Sequence, residues 1–345
     1  MSTADQFAAH VDAQVLWDGP SPATNSIPEG ELHGDIAWTR NTLKDSDGVI
    51  KLGDEVVAEL DSLVADLRVN SLPIEALCTA DFHLPHSRTM MAQAKKILEE
   101  GVGFVIIDKL PMERYSVDEA RSVYWLLSQM VGRPVAQNWQ GKLLYDVRDL
   151  GKPPGNGVRP DITNAEQNFH TDNSYNLCPP EYVSLLCVRP AKEGGVSSIV
   201  SFYSVFNALR QRHPQLISRL FQPYVFDRQR EHAPEDLKLI AHPLVQVDKS
   251  RAVFRLSHRH VVTGYQMLGR EMDDESASAL ETLESIMREP IFAREFFFEP
   301  GQIQIVDNKR CGHRRSGFVD HDEFERKRHL VRLWLRDEGR RFYNG

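Results

Sequence analysis

Cysteine is scarce in this chain. Four occur in 345 residues, Cys78, Cys178, Cys187 and Cys311, widely spaced and with no CxxC pair. This argues against a disulfide scaffold and a zinc–thiolate cluster, and the thiols read as reduced and cytoplasmic. A thiolate ligand at Cys311, two residues before His313, is weighed less heavily than a buried thiol there. Long apolar runs are missing as well: no stretch approaches the roughly 18 residues that a membrane helix needs. The first residues lack a basic segment leading into an apolar core, so no signal peptide is expected. Positive charge is in deficit, with 41 Lys and Arg against 49 Asp and Glu, a formal net charge of -8 and a pI near 5.9. Nucleic acid and anionic membrane surfaces favour basic partners, so neither is expected here. No internal repeat or low-complexity block stands out.

What is present is an ordinary globular composition, 41% hydrophobic and 26% charged. Residues 1 to about 90 read as a partly helical extension packed on a core formed by 91–345, the whole being one structural unit. Apolar spacing predicts helices over 54–67, 90–100 and 117–131, and a buried strand over 103–108. Beyond residue 140 the pattern turns largely β. Strands are expected at 142–148, 181–189, 197–202, 243–247, 252–256, 302–306 and 329–335, with helices near 204–212 and 274–288. Many short strands punctuated by Gly and Pro suggest a mainly β fold with flanking helices, a double-stranded β-helix of jelly-roll type.

Within this frame one histidine–acid pair carries chemical interest. His-x-acid occurs four times, at His10/Asp12, His33/Asp35, His170/Asp172 and His321/Glu323. On a strand, residues i and i+2 share a face and can converge on one ion; on a helix they point roughly 200° apart. Only His170-Thr-Asp172 sits ahead of a long β-rich stretch, in Asn-Phe-His-Thr-Asp-Asn-Ser-Tyr. Downstream, Pro300-Gly301 starts a strand, and a turn over 308–312 delivers His313 to its end. Two imidazoles and one carboxylate with open positions describe a non-haem Fe(II) oxygenase site. In Arg328-His-Leu-Val-Arg-Leu-Trp-Leu, alternation puts Arg328, Leu330, Arg332 and Trp334 on one face. Interior guanidiniums need anionic partners. A bound carboxylate would serve, and so would a buried Asp or Glu.

Together these motifs resemble the Fe(II)- and 2-oxoglutarate-dependent oxygenases of the taurine dioxygenase and clavaminate synthase group, from about Gly101 to Trp334. The resemblance rests on Gly-Val-Gly-Phe-Val-Ile-Ile, Phe-His170-Thr-Asp172, Gly194-Gly-Val-Ser197, Asp307-Asn-x4-His313-x-Arg and Arg328-His-Leu-Val-Arg332. It implies a metal triad of His170, Asp172 and His313, with Fe(II), 2-oxoglutarate and O2 as cofactors and co-substrates. Arg328 would hold the distal carboxylate of 2-oxoglutarate, assisted by Ser197 where the family usually has threonine. Arg332 matches a position that often meets an acidic group of the substrate. Gln137, Asn173 and Tyr175 are the softer candidates for substrate contact, each with a structural role as an equal alternative.

The implied function is hydroxylation of a C–H bond in a small polar molecule, carboxylate- or amino-acid-like, with release of succinate and CO2. Two other readings stand beside it: a jelly-roll metal enzyme that does not use 2-oxoglutarate, and a non-catalytic jelly-roll binding protein. A homo-oligomer is left open. His258-Arg-His260 reads as the end of a surface strand, and His83 and His86 as parts of an exposed connection.

Overall fold

The computed structural model describes residues 14–20, 25–153 and 158–343. His10 and Asp12 lie outside them. Two sheets face one another. The major sheet runs Val49–Lys51, Phe104–Asp108, Ile303–Asp307, Tyr182–Arg189, His329–Arg336 and Arg133–Val135, with Tyr145–Val147 also paired to His329–Arg336. The minor sheet runs Ala293–Phe296, Ser197–Ser201, Cys311–Arg315 and Gln167–His170. These are the facing layers expected of a jelly roll, although no closed barrel forms.

Helices Asp54–Val69, Pro85–Glu100 and Val117–Gln129 pack together, and the second and third cover the outer face of the major sheet. The last of them starts at a capping box in which Ser116 and Glu119 satisfy each other's backbone N–H groups. Their apolar faces meet Val331, Leu333 and Leu335 from one side of the His329–Arg336 strand. The other side of that strand faces inward, with Leu330 and Trp334 in separate interior clusters. Alternation along one strand therefore builds two cores at once.

The N-terminal residues are tied to both layers. Val49–Lys51 extends the major sheet in parallel to Phe104–Asp108, and Leu32, Ile36, Trp38 and Leu43 are buried in the main core. Between Ser201 and Ala293 the chain leaves the sheets for an insertion. It carries helices Phe202–Arg212, His258–Leu268 and Asp274–Met287, a sheet of Pro223–Asp227 with Leu239–Pro243, and a hairpin of Val245–Asp248 with Arg251–Phe254.

Several boundaries differ from expectation. The strand predicted at 142–148 is extended only over Tyr145–Val147, and the one at 243–247 is two strands that part at Leu244. His313 does not end the Ile303–Asp307 strand. After the turn the chain crosses to the other layer, and His313 is the middle residue of Cys311–Arg315. His258-Arg-His260 opens a helix rather than closing a strand. His260, Val261 and Gly264 recur at helical spacing on its buried face. A Cβ on Gly264 would lie 2.5 Å from the carbonyl oxygen of Val225, so only glycine lets that helix seat on the insertion's own sheet.

Candidate active site

His170 and His313 stand opposite one another on adjacent strands of the minor sheet, with ring centroids 4.4 Å apart. Asp172 follows His170 just beyond the strand end. Its Oδ1 lies 3.3 Å from Nε2 of His170 and 3.6 Å from Nε2 of His313. Each residue offers one ligand atom, and the three atoms lie within 4.8 Å of one another. Facial ligands about 2.1 Å from a metal and at right angles sit about 3 Å apart, so this set is close to ligating geometry.

The donor chemistry also fits a divalent cation. His170 gives its Nδ1 proton to the backbone carbonyl of Asn168 at 2.8 Å, leaving the Nε2 lone pair for a metal. The Gln167 amide donates to that lone pair at 3.0 Å, a hydrogen bond that metal entry displaces. Burial, then the neighbouring His170, pushes His313 below the ordinary histidine range, which favours the neutral form that a cation would need. Burial opposes the charge on Asp172, but Arg332 and the two imidazoles outweigh it and hold the carboxyl well below the usual carboxylate range.

Asp172 is fixed from behind as well. Its Oδ2 accepts the Trp334 indole N–H at 2.6 Å and lies 3.2 Å from Nη1 of Arg332. Its backbone is clamped by Asn308, which accepts the Asp172 N–H at 2.8 Å and donates to the Asp172 and Pro180 carbonyls at 3.0 Å each. Neither Trp334 nor Asn308 was singled out from sequence as a site residue. The signal for Trp334 was its inward phase with Arg332, and for Asn308 its place in Asp307-Asn-x4-His313.

The two inward arginines differ sharply. Arg332 is fully engaged by protein: Nε donates to Oε1 of Gln137 at 2.8 Å, Nη2 to Oδ2 of Asp161 at 2.8 Å, and Nη1 faces Asp172. Arg328 is also buried, but among the described residues its guanidinium has no carboxylate within ion-pair distance, and Nη1 has no partner. It rests over the Phe318 ring at 5.1 Å and opens on a cavity of about 260 Å³ that also touches Pro190, Gly195, Phe298 and Leu330. Burial, then the nearby Arg315, pushes Arg328 down to about 9, which still leaves it a cation at neutral pH. Asp320 accepts the Arg328 backbone N–H at 2.7 Å and acts on the guanidinium only from beyond ion-pair distance, so this buried cation with a free Nη1 fits an anionic ligand. Gly194 and Gly195 make the approach to it through left-handed φ values of 74° and 68°.

The other expected residues have these places. Ser197 is buried and donates to Oε1 of Gln304 at 3.0 Å. Gln137 is wholly buried, its amide N–H groups going to the carbonyls of Leu143 and Arg332. Asn173 donates to the carbonyl of Cys178 and accepts from the Tyr343 hydroxyl at 3.0 Å. Tyr175 lines a cavity of about 210 Å³ together with His170, Asp172, Trp334, Asp161 and His260. Cys311 is buried with its thiol against the Gly103 carbonyl, outside the metal set.

Paired layers that converge two imidazoles and a carboxylate, in a fold that also holds a buried guanidinium with a free Nη1, define a non-haem Fe(II) oxygenase of the jelly-roll class. Residues 67–334 match the model of the taurine catabolism dioxygenase TauD, TfdA family, and the chain belongs to that family. It is accordingly an Fe(II)- and 2-oxoglutarate-dependent oxygenase that uses O2. Among its relatives is FR-33289 synthase of Streptomyces rubellomurinus, 28% identical over 316 residues that cover 90% of this chain and 91% of that one. Similar solved structures include an asparagine oxygenase in complex with Fe(II), 2S,3S-3-hydroxyasparagine and succinate, with a TM-score of 0.64 at 17% identity. That likeness covers 84% of this chain and 93% of the other. The non-heme iron oxygenase OrfP in complex with Fe and alpha-ketoglutaric acid aligns at a TM-score of 0.60 and 15% identity, over 84% of this chain and 94% of that one. Among the described residues, no helix is long and apolar enough to cross a membrane.

Proposed function

We propose that this oxygenase hydroxylates a C–H bond of a small polar molecule, carboxylate- or amino-acid-like, releasing succinate and CO2. The observation that carries the proposal is the cavity of about 210 Å³ onto which His170 and Asp172 open. It is smaller than the roughly 300–1,000 Å³ of sites for drug-sized ligands. Its walls combine charged and hydrogen-bonding groups, Asp161, Arg332, Tyr175 and His260, with the metal-facing side of His170 and Asp172.

In this reading His170, Asp172 and His313 hold the iron. Arg328 takes the distal carboxylate of 2-oxoglutarate, its planar guanidinium matching a carboxylate in a two-point fork. Ser197 assists by turning its hydroxyl from Gln304 to the carboxylate. The bound metal and co-substrate supply an oxidant from O2 that breaks the C–H bond. The chain's own part is positioning: Trp334 and Asn308 hold Asp172, while Tyr175, Gln137, Asn173 and Arg332 shape the substrate side. The asparagine oxygenase structure holds 2S,3S-3-hydroxyasparagine, and another OrfP complex holds (3S)-hydroxy-L-Arg, which supports an amino-acid-like substrate class. The free cysteines support a cytoplasmic setting.

Succinate formation tests the proposal. The protein with Fe(II), O2 and 2-oxoglutarate is expected to release succinate slowly, and faster with some member of a panel of small acids and amino-acid derivatives. Absence of any succinate, or unchanged release after Asp172→Ala, would sink it.

A further inference from the structure

The polar groups around the 210 Å³ cavity are largely satisfied by one another, and those that are not point to what the substrate must offer. Asp161 is 5% exposed and lies in the cavity wall. Its Oδ2 is held by Nη2 of Arg332 at 2.8 Å and Nη2 of Arg159 at 3.3 Å, whereas Oδ1 has no hydrogen-bond partner. His260, 8% exposed and in the same wall, stacks at 4.2 Å on Tyr175 and contacts Oγ of Ser257 through Nδ1 at 2.6 Å. Its Nε2 is also unpartnered.

The cavity wall carries Arg159, Arg259 and Arg332 against Asp161, Glu166 and Asp172, so its charges balance. Three of the five N–H donors of Arg332 are already directed at protein acceptors, one each on Nε, Nη1 and Nη2. His260 adds no positive charge: burial, then Arg259 and His170, pushes its ring down to about 3.

We infer that Asp161, seconded by His260, is the substrate-selecting residue, and that it takes a nitrogen bearing hydrogen, an ammonium or an amide N–H. Arg332 then acts as a positioning residue for Asp161 and Asp172 rather than as the anchor of an anionic group. A buried carboxylate oxygen without a donor is costly, and a ligand N–H lifts that cost. An anionic group at that oxygen would face the Asp161 carboxylate with no donor between them. The substrate class is thereby narrowed from polar acids in general to those that carry N–H near the oxidised carbon.

This inference rests on the oxygenase reading, and one experiment separates the two. Crystals of the protein loaded with Fe(II) and 2-oxoglutarate, kept without O2, are soaked in methylammonium, acetamide or acetate. The expected result is a nitrogen of methylammonium or acetamide within hydrogen-bond distance of Oδ1 of Asp161. Methylammonium alone marks an ammonium site, and acetamide alone an amide site. Acetate seated on Arg332, or neither nitrogen probe at Asp161, overturns the inference. Failure of the protein to take up Fe(II) and 2-oxoglutarate overturns the oxygenase reading instead. Asp161→Asn keeps the shape and removes the charge, so it is expected to lose methylammonium at least tenfold more than acetamide in a binding titration. Equal loss of both would assign Asp161 a structural role only.

Discussion

Trp334 donates its indole N–H to Oδ2 of Asp172 at 2.6 Å, while Oδ1 of the same carboxylate faces both histidines. One oxygen is thus held by the protein, which leaves the other for the iron proposed to bind there. Outer partners of this kind fix the orientation and basicity of a ligand. Trp334→Phe keeps the ring and removes only the donor. It is expected to weaken Fe(II) binding by roughly ten- to a hundredfold, read in an anaerobic metal titration, with little change in 2-oxoglutarate affinity at saturating metal.

Arg328 is buried with Nη1 unpartnered, so its substitution acts on the ligand more than on a protein ion pair. Arg328→Gln is expected to raise the KM for 2-oxoglutarate by about ten- to a hundredfold, the worth of a charge-assisted two-point contact. Arg328→Lys restores the charge without the fork and recovers part of the loss. Fe(II) affinity measured without 2-oxoglutarate stays near wild type. Equal loss of both would mean that the strand itself had shifted.

Asn308 makes three hydrogen bonds to the backbone around Asp172, and it is 1% exposed. Asn308→Ala leaves a buried N–H and two carbonyls with one fewer partner, at about 1–3 kcal/mol for each group left unsatisfied. Urea denaturation of the metal-free protein is expected to show that loss. Asn308→Asp can still accept from the Asp172 N–H but cannot donate, so it restores only a minor part.

His260 gives the stability a dependence on acid. Its folded value lies near 3 against an ordinary 6.5. The unfolded chain therefore takes up a proton below about 6.5 that the folded chain refuses, and stability falls as pH drops from there toward 3. At pH 5 this one group costs about 2 kcal/mol relative to pH 7. Denaturation midpoints at the two pH values, compared between wild type and His260→Gln, should show the fall reduced by about that amount. An unchanged slope would mean that the ring is charged when folded.

Much of this site was legible because its signals are local. His170 and Asp172 are two residues apart at a strand end, and Arg328 and Arg332 share the phase of one strand, so periodicity alone placed each pair. The helices expected over 54–67, 90–100 and 117–131 form as Asp54–Val69, Pro85–Glu100 and Val117–Gln129, since apolar spacing acts within a few turns. His258-Arg-His260 misled for the opposite reason. A histidine beside two other polar residues carries no local mark of burial, and its burial comes from an insertion folding back over the cavity.

The sequence by itself determined the reaction class, because ligand types and their order along the chain limit which metal chemistry can form. It could not decide what the two inward arginines are paired with. Asp161 lies 171 positions from Arg332 along the chain, yet their side chains meet at 2.8 Å. The Arg328 guanidinium has no carboxylate within ion-pair distance among the described residues, although its backbone N–H donates to Asp320. That difference makes one guanidinium part of the scaffold and leaves the other for a ligand. It arises only when the two sheets pack, since a charge–charge contact depends on distance in space and a strand's periodicity reports only the face on which a side chain lies.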